Sequence, residues 1–254
     1  MRKIPVLDSS PQQIVAALRE EVGRIEGAGR VVDCVPLGSG CAALDRLLPE
    51  RGFLRGWLVE WLSAGSGSGA ATLAMIAARQ AAIEGGAVVV MDRTRHFYPP
   101  AAAALGVDLE SVIVIRARTE NDELWALDQV LRCPGAAAVW APLERLDWRR
   151  FRRLQLAAES GGSLGLLVRP ARVRGQPSWS QVQLLVQPRV SHGPRRLRVE
   201  LLRCRSAAAG GAVELEMDEV TGALREASDR HETHSLHLAA KLAHPAPRRR
   251  SARA

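Results

Sequence analysis

A chain of 254 residues with 47% hydrophobic content is long enough for one ordinary domain plus extensions, and apolar enough to bury a core. Its net charge is +8 with a pI near 10.5, and Lys3 and Lys241 are the only lysines, so arginine carries the positive charge, a balance that suits nucleic acid or an acidic partner. No apolar run is long enough for a membrane span, Met1–Pro5 leads into no signal-peptide core, and Cys34, Cys41, Cys133 and Cys204 form no C-x-x-C pair; the expectation is a cytoplasmic protein with buried thiols, no membrane partner and no disulfide framework.

Ser10 as cap, Pro11 at the first helical position and Gln13 after them start a helix. Ile14, Val15, Leu18, Val22 and Ile25 form its apolar stripe, and Gly27, Ala28 and Gly29 end it. A docked helix is the plain expectation; the alternative is an arm that packs on a neighbouring subunit or partner through Ile14, Leu18 and Val22. A turn over Pro36–Gly40 and a short helix around Leu44–Leu48 follow, and the tight turn Arg51–Gly56 feeds a strand over Trp57–Leu62.

Next comes a Gly/Ser-rich turn, Ser63–Gly69, and an Ala-rich helix to about Gln80. Strand, glycine turn and helix are the layout of a phosphate-binding loop, in which backbone amides and a helix N-terminus cradle the phosphates. With Gly69 as the second glycine of G-x-x-x-x-G-K-[ST], Ala64 stands at the first glycine, Ala70 at the lysine and Ala71 at the magnesium hydroxyl. Thr72 lies one step out of register, while Gly65, Gly67 and Gly69 keep the turn. The cradle is present and its charge is missing. A turn that never met a nucleotide and a degenerate nucleotide fold both fit this stretch alone.

Ala87–Asp92 and Val112–Ile115 have the continuous apolar character of strands buried on both faces. Between them Pro99–Leu105 predicts a helix; beyond them follow a helix over Asn121–Leu131, a strand over Ala136–Trp140, an Arg-rich amphipathic helix over Trp148–Ser160 and a strand over Leu164–Val168. This alternation predicts an α/β fold with a largely parallel sheet flanked by helices, and ligands beyond the carboxyl ends of its strands. Val182–Val186, Leu197–Arg203 and the alternating Ala212–Met217 predict antiparallel edge strands. The chain divides into an N-terminal helical extension (1–34), a core (35–225) and a polar, flexible tail (226–254) ending in Arg248, Arg249 and Arg250, a candidate contact for an acidic partner. From Arg149 to Arg205 only Glu159 and Glu200 are acidic, which predicts a positive field on one part of the surface.

Gly38-Ser39-Gly40 with Leu44-Asp45, then Gly52, Gly56 and Glu60 leading into the glycine turn, resemble the entry into the ATPase core of bacterial RecA recombinases. Val90-Met91-Asp92, Pro99 and Leu105-Gly106-Val107-Asp108 follow in the same order at closely similar spacing. With the lysine gone, the chain is most similar to the ImuA family, RecA-like accessory proteins of bacterial translesion-synthesis operons, once grouped with the cell-division inhibitor SulA.

The resemblance implies a RecA-like P-loop core whose catalytic carboxylate falls on Thr94, and whose magnesium-organising strand, Val139–Pro142, ends without an acid. Losing lysine, hydroxyl, metal carboxylate and base together leaves no catalytic residue to assign. The expectation is no cofactor and no metal beyond weak ATP binding through the Gly65–Gly69 amides. Asp92 then suits a cap on nearby amides, Glu60 a structural role, and His231, His234, His237 and His244 a solvated segment without metal-ligand spacing. The stretch Arg169–Trp179 matches a loop that lines single-stranded DNA in RecA, and offers Arg169, Arg172 and Arg174 to phosphates and Trp179 to a base; the alternative is a solvated connection with Trp179 in the core.

The function so implied is a non-catalytic adaptor in DNA-damage-induced (SOS) translesion synthesis and mutagenesis, cytoplasmic and associated with the nucleoid. Its partners would be a Y-family polymerase-like protein, an error-prone replicative-type polymerase and RecA. The alternatives are an atypical RecA-like ATPase or recombination mediator on single-stranded DNA, and an inhibitor of assembly of a cell-division or recombinase protein.

Overall fold

The computed structural model describes residues 35–191, 193–206, 209–218 and 221–227. The predicted N-terminal helix with Ile14, Leu18 and Val22, the histidines from 231 onward and Arg248–Arg250 lie outside them. A short helix α1 (Ala42–Leu47) precedes strand β1 (Leu58–Ser63) and helix α2 (Ala70–Ala81). Then come β2 (Ala87–Met91), α3 (Pro99–Ala104), β3 (Val112–Ile115), α4 (Glu120–Leu131), β4 (Ala136–Pro142), α5 (Trp148–Gly161) and β5 (Leu164–Pro170). Four strands finish the described chain: β6 (Val182–Arg189), β7 (Arg195–Cys204), β8 (Ala212–Met217) and β9 (Leu224–Glu226).

They form one sheet in the order β3-β2-β4-β5-β1-β6-β7-β8-β9. Pairing is parallel from β3 across to β6 and antiparallel from β6 to β9. Alternate residues of each central strand enter different cores. Val88, Val90, Val59 and Trp61 pack with α1 and α2, while Val89, Met91, Leu58 and Leu167 pack with α4 and α5. Both faces are therefore dry, which is why these strands read as continuous apolar runs.

Local chemistry sets the helix ends. Thr119 and Asp122 close a capping box at the start of α4, and Asp147 accepts the Arg149 and Arg150 amides at the start of α5. Gly162, at φ 78, ends α5 in the left-handed conformation that glycine adopts at least cost.

Three expectations are corrected. β3 is an edge strand paired only with β2, and Ile113 and Val114 remain 53% and 36% exposed, so its apolar character does not report double burial. Cys41 and Cys204 are buried as expected but Cys133 is exposed. The edge strands are longer than their apolar centres, because Gln187–Arg189 of β6 and Arg195–Arg196 of β7 carry polar side chains through the ladder. β9 was not anticipated; its three residues, Leu-Arg-Glu, are too short a segment to show periodicity.

Candidate functional site

β1 delivers Ser63 to the carboxyl end of the sheet, and Gly69 caps α2 at φ 90 with no side-chain cap. Gly67 sits at φ 70, so the turn uses glycine at both positions for its backbone shape. Ala64, Gly65, Ser66 and Gly67 are exposed, whereas Ser68, Gly69 and Ala70 are buried; Ala71 is exposed and Thr72 half-buried.

The loop satisfies several of its own donors. The Ser63 hydroxyl donates to the Gly65 carbonyl at 2.7 Å and lies 2.8 Å from the Ser68 hydroxyl. The Gly65 amide is 3.4 Å from Ser63 Oγ, and the Ala70 amide 3.4 Å from Ser68 Oγ. The Ala64 amide donates to the Val186 carbonyl and the Ser68 amide to the Gly65 carbonyl. From β7, Arg195 donates to the Gly67 carbonyl, and Leu197 packs so closely that a Cβ on Gly69 would come within 2.7 Å of its Cδ1. Neither β7 residue was singled out in the sequence, where nothing marks strand seven as a neighbour of this loop.

Beyond the ends of β2, β4 and β5 lies a cavity of about 390 Å³, lined among others by Arg93, Thr94, His96, Glu123, Glu144 and Arg145. This is the crevice where open α/β sheets hold ligands. Arg93 is 2.8 Å from the buried Glu123, and that hydrogen bond raises the Arg93 pKa above its ordinary value. Asp92 accepts the His96 and Phe97 amides at 2.7 and 3.0 Å and the Arg116 guanidinium at 3.2 Å. It is the cap the sequence suggested. From β4, Trp140 donates Nε1–H to the Ala71 carbonyl at 3.2 Å, tying the strand end to the first turn of α2.

The predicted DNA contacts separate. Arg169 is only 3% exposed: it pairs with fully buried Glu60 at 2.6 Å and lies over the Phe151 ring, so it cannot reach a phosphate. Glu60 also accepts from Ser178, Ser180 and Gln183 at 2.5, 3.1 and 2.9 Å. This confirms its structural role and pins the segment after β5 to β1 and β6. Trp179 is half-buried against the α4/α5 core, and its ring is flanked by the guanidinium carbons of Arg152 and Arg205 at 4.6 and 5.6 Å, positions a stacking base would need. Arg172 and Arg174 are exposed, but pair with Glu144 at 3.3 Å and Glu200 at 3.7 Å. The positive field predicted for residues 149–205 is partly cancelled by acids from elsewhere in the chain: Arg153 meets Asp128, Arg189 and Arg198 meet Glu214, and Arg196 meets Glu216.

Among the described residues no three acids, histidines or cysteines converge as a metal site, and no helix is long and apolar enough to cross a membrane. No protein-family model matches the chain. It is 34% identical over 145 residues to Protein ImuA of Caulobacter vibrioides, a match covering 50% of this chain and 59% of that protein. It is 28% identical over 134 residues to Protein RecA of Rhodopirellula baltica, covering 52% of this chain and 35% of RecA. The chain thus spans little more than half the length of the curated ImuA it matches. Among solved structures the RadB recombinase superposes with a TM-score of 0.60 over 76% of this chain and all of that one, at 16% identity, a likeness of fold. Fold and sequence agree with the resemblance carried by the loop and its flanks: the chain has a RecA-like fold and, over about half its length, is similar in sequence to ImuA and RecA.

Proposed function

We propose that the chain is a RecA-like accessory protein of translesion synthesis that acts as a non-catalytic adaptor. One observation carries the reading. At the place where a phosphoryl-transfer enzyme needs a lysine and free amides, the chain has buried Ala70 and a turn whose Ala64, Gly65, Ser68 and Ala70 amides already meet acceptors of the protein itself. Phosphate would have to displace those contacts without a lysine to repay their loss. What remains is a rigid sheet with two covered faces, suited to presenting surfaces to other proteins.

In this reading the protein works in the cytoplasm at the nucleoid, without cofactor. It binds a Y-family polymerase-like protein, an error-prone replicative-type polymerase, RecA, or a combination of them. Titration of the purified full chain with Mg·ATP, with and without single-stranded DNA, is expected to show no phosphate release. Co-precipitation with the polymerase-like partner is expected to succeed without nucleotide. Turnover in the first assay would overturn the non-catalytic reading, and failure to bind any of the three partners would overturn the adaptor.

A second reading has one observation in its favour. Arg195 reaches the Gly67 carbonyl and brings a cation to the turn that lost its lysine. An atypical ATPase using that arginine predicts turnover abolished by Arg195→Ala.

A further inference from the structure

Arginines of the described core mostly have carboxylate partners, and among those that do not, four lie near one another. Arg149, Arg152, Arg203 and Arg205 form no ion pair among the described residues, and the last three gather around the Trp179 indole. Arg152 and Arg205 flank the Trp179 ring, Arg203 donates to the Ser178 carbonyl beside it, and Arg149 lies one helical turn before Arg152. Arg149 in turn covers Trp148, which is 58% exposed, and Leu156, one turn beyond Arg152, is 43% exposed. The buried Glu60 network holds the segment carrying Trp179, so the cations are ordered before any partner arrives. Arg152 is linked through Gln155 to the Glu159 carboxylate, and the remaining like charges held together repel, a repulsion that an anionic partner relieves.

We propose that this arginine–tryptophan surface, on α5, the segment just before β6 and the end of β7, docks an acidic polypeptide segment carrying apolar side chains. The proposal rests on the adaptor reading and names one of its surfaces. Guanidinium groups offer paired N–H donors that match carboxylates. Trp148 and Leu156 offer apolar area between the charges. A short acidic peptide fits better than single-stranded DNA for two reasons. The arginines flanking Trp179 occupy the positions a base would stack on, and the adjoining Arg172 and Arg174 are neutralised by Glu144 and Glu200, which confines the free charge to a short stretch.

The test uses the purified full chain and two probes in fluorescence anisotropy: a short labelled peptide repeating Glu-Glu-Leu, and an oligo-dT of equal charge. The peptide is expected to bind more tightly than oligo-dT, and Arg152→Glu with Arg205→Glu to weaken it by about tenfold or more. Arg118→Glu, in the exposed loop before α4, is expected to leave it unchanged. Because both arginines pack on Trp179, the charge-neutral Arg205→Gln, on the more distant and exposed of the two, serves as a milder variant, with thermal melting to confirm folding. Preference for oligo-dT would overturn the proposal in favour of nucleic acid. Equal loss in the Arg118 variant, or no peptide binding, would also overturn it. Co-precipitation of the polymerase-like partner separates the two readings: capture that survives Arg152→Glu/Arg205→Glu removes this surface and leaves the adaptor, whereas no capture by the unaltered chain removes the adaptor.

Discussion

Glu60 is a carboxylate in the middle of a strand whose neighbours Leu58, Val59, Trp61 and Leu62 are all fully buried. Its ionised form is tolerable there because Arg169, Ser178, Ser180 and Gln183 surround it with donors. Glu60→Ala is expected to cost about 3–5 kcal/mol, since it strands the Arg169 charge in the interior. Urea unfolding would measure this, and Glu60→Leu with Arg169→Met should restore most of the loss; a single variant as stable as the parent would refute the account. Gly69 is constrained differently, by a positive φ and by Leu197 at its missing Cβ. Gly69→Val is expected to lower stability by about 1–3 kcal/mol whatever the loop binds, visible as a lower melting temperature without any ligand. A lone glutamate within an apolar strand was visible in the sequence. Its partners, more than a hundred residues away, were not.

At the scale of elements, the antiparallel edge is held by charge as well as by its ladder. Glu216 of β8 receives Arg196 of β7 at 2.6 Å and Arg225 of β9 at 2.9 Å. The Arg196 hydrogen bond, with help from Arg225, holds the Glu216 carboxyl below its ordinary 4.5 against the opposing effect of burial. A depressed carboxylate stabilises the fold above its unfolded pKa, and that contribution disappears as pH falls through the lower folded value. Melting temperatures of the protein and of Glu216→Gln should therefore differ most at neutral pH, and the gap should close as the pH is taken down through and below the ordinary carboxylate range. A gap that persists into acid would show that Glu216 acts through packing. The element pattern itself was largely legible: helix and strand periods located α2 through β8 to within a few residues, because both faces of the sheet are dry. Two features escaped it. An edge strand such as β3 can be as apolar as a central one, and β9 owes its existence to pairing with β8.

For the whole molecule, charge matters by where it meets its opposite. The arginines between 149 and 205 suggested a broad basic surface, and folding brings Glu60, Asp128, Glu144, Glu214 and Glu216 against Arg169, Arg153, Arg172, Arg189, Arg198 and Arg196. What is left is local. Raised salt is accordingly expected to weaken acidic-peptide binding at the Arg149–Arg205 surface while barely moving the melting temperature, because the buried Glu60–Arg169 pair is poorly screened. A melting temperature that falls in parallel with binding would contradict that separation.

By itself the sequence determined the α/β class, the placement of the glycine turn at a strand end, the alanine at position 70 that follows it, and the RecA-like resemblance. These are local or ordered patterns, carried by spacing along the chain. Only the tertiary structure decided that Arg169 points inward, that Arg195 and Leu197 close on the turn from a distant strand, and which arginines stay unneutralised. Such facts depend on contacts between residues far apart in sequence, and the pairing of charges across a sheet leaves no period to read.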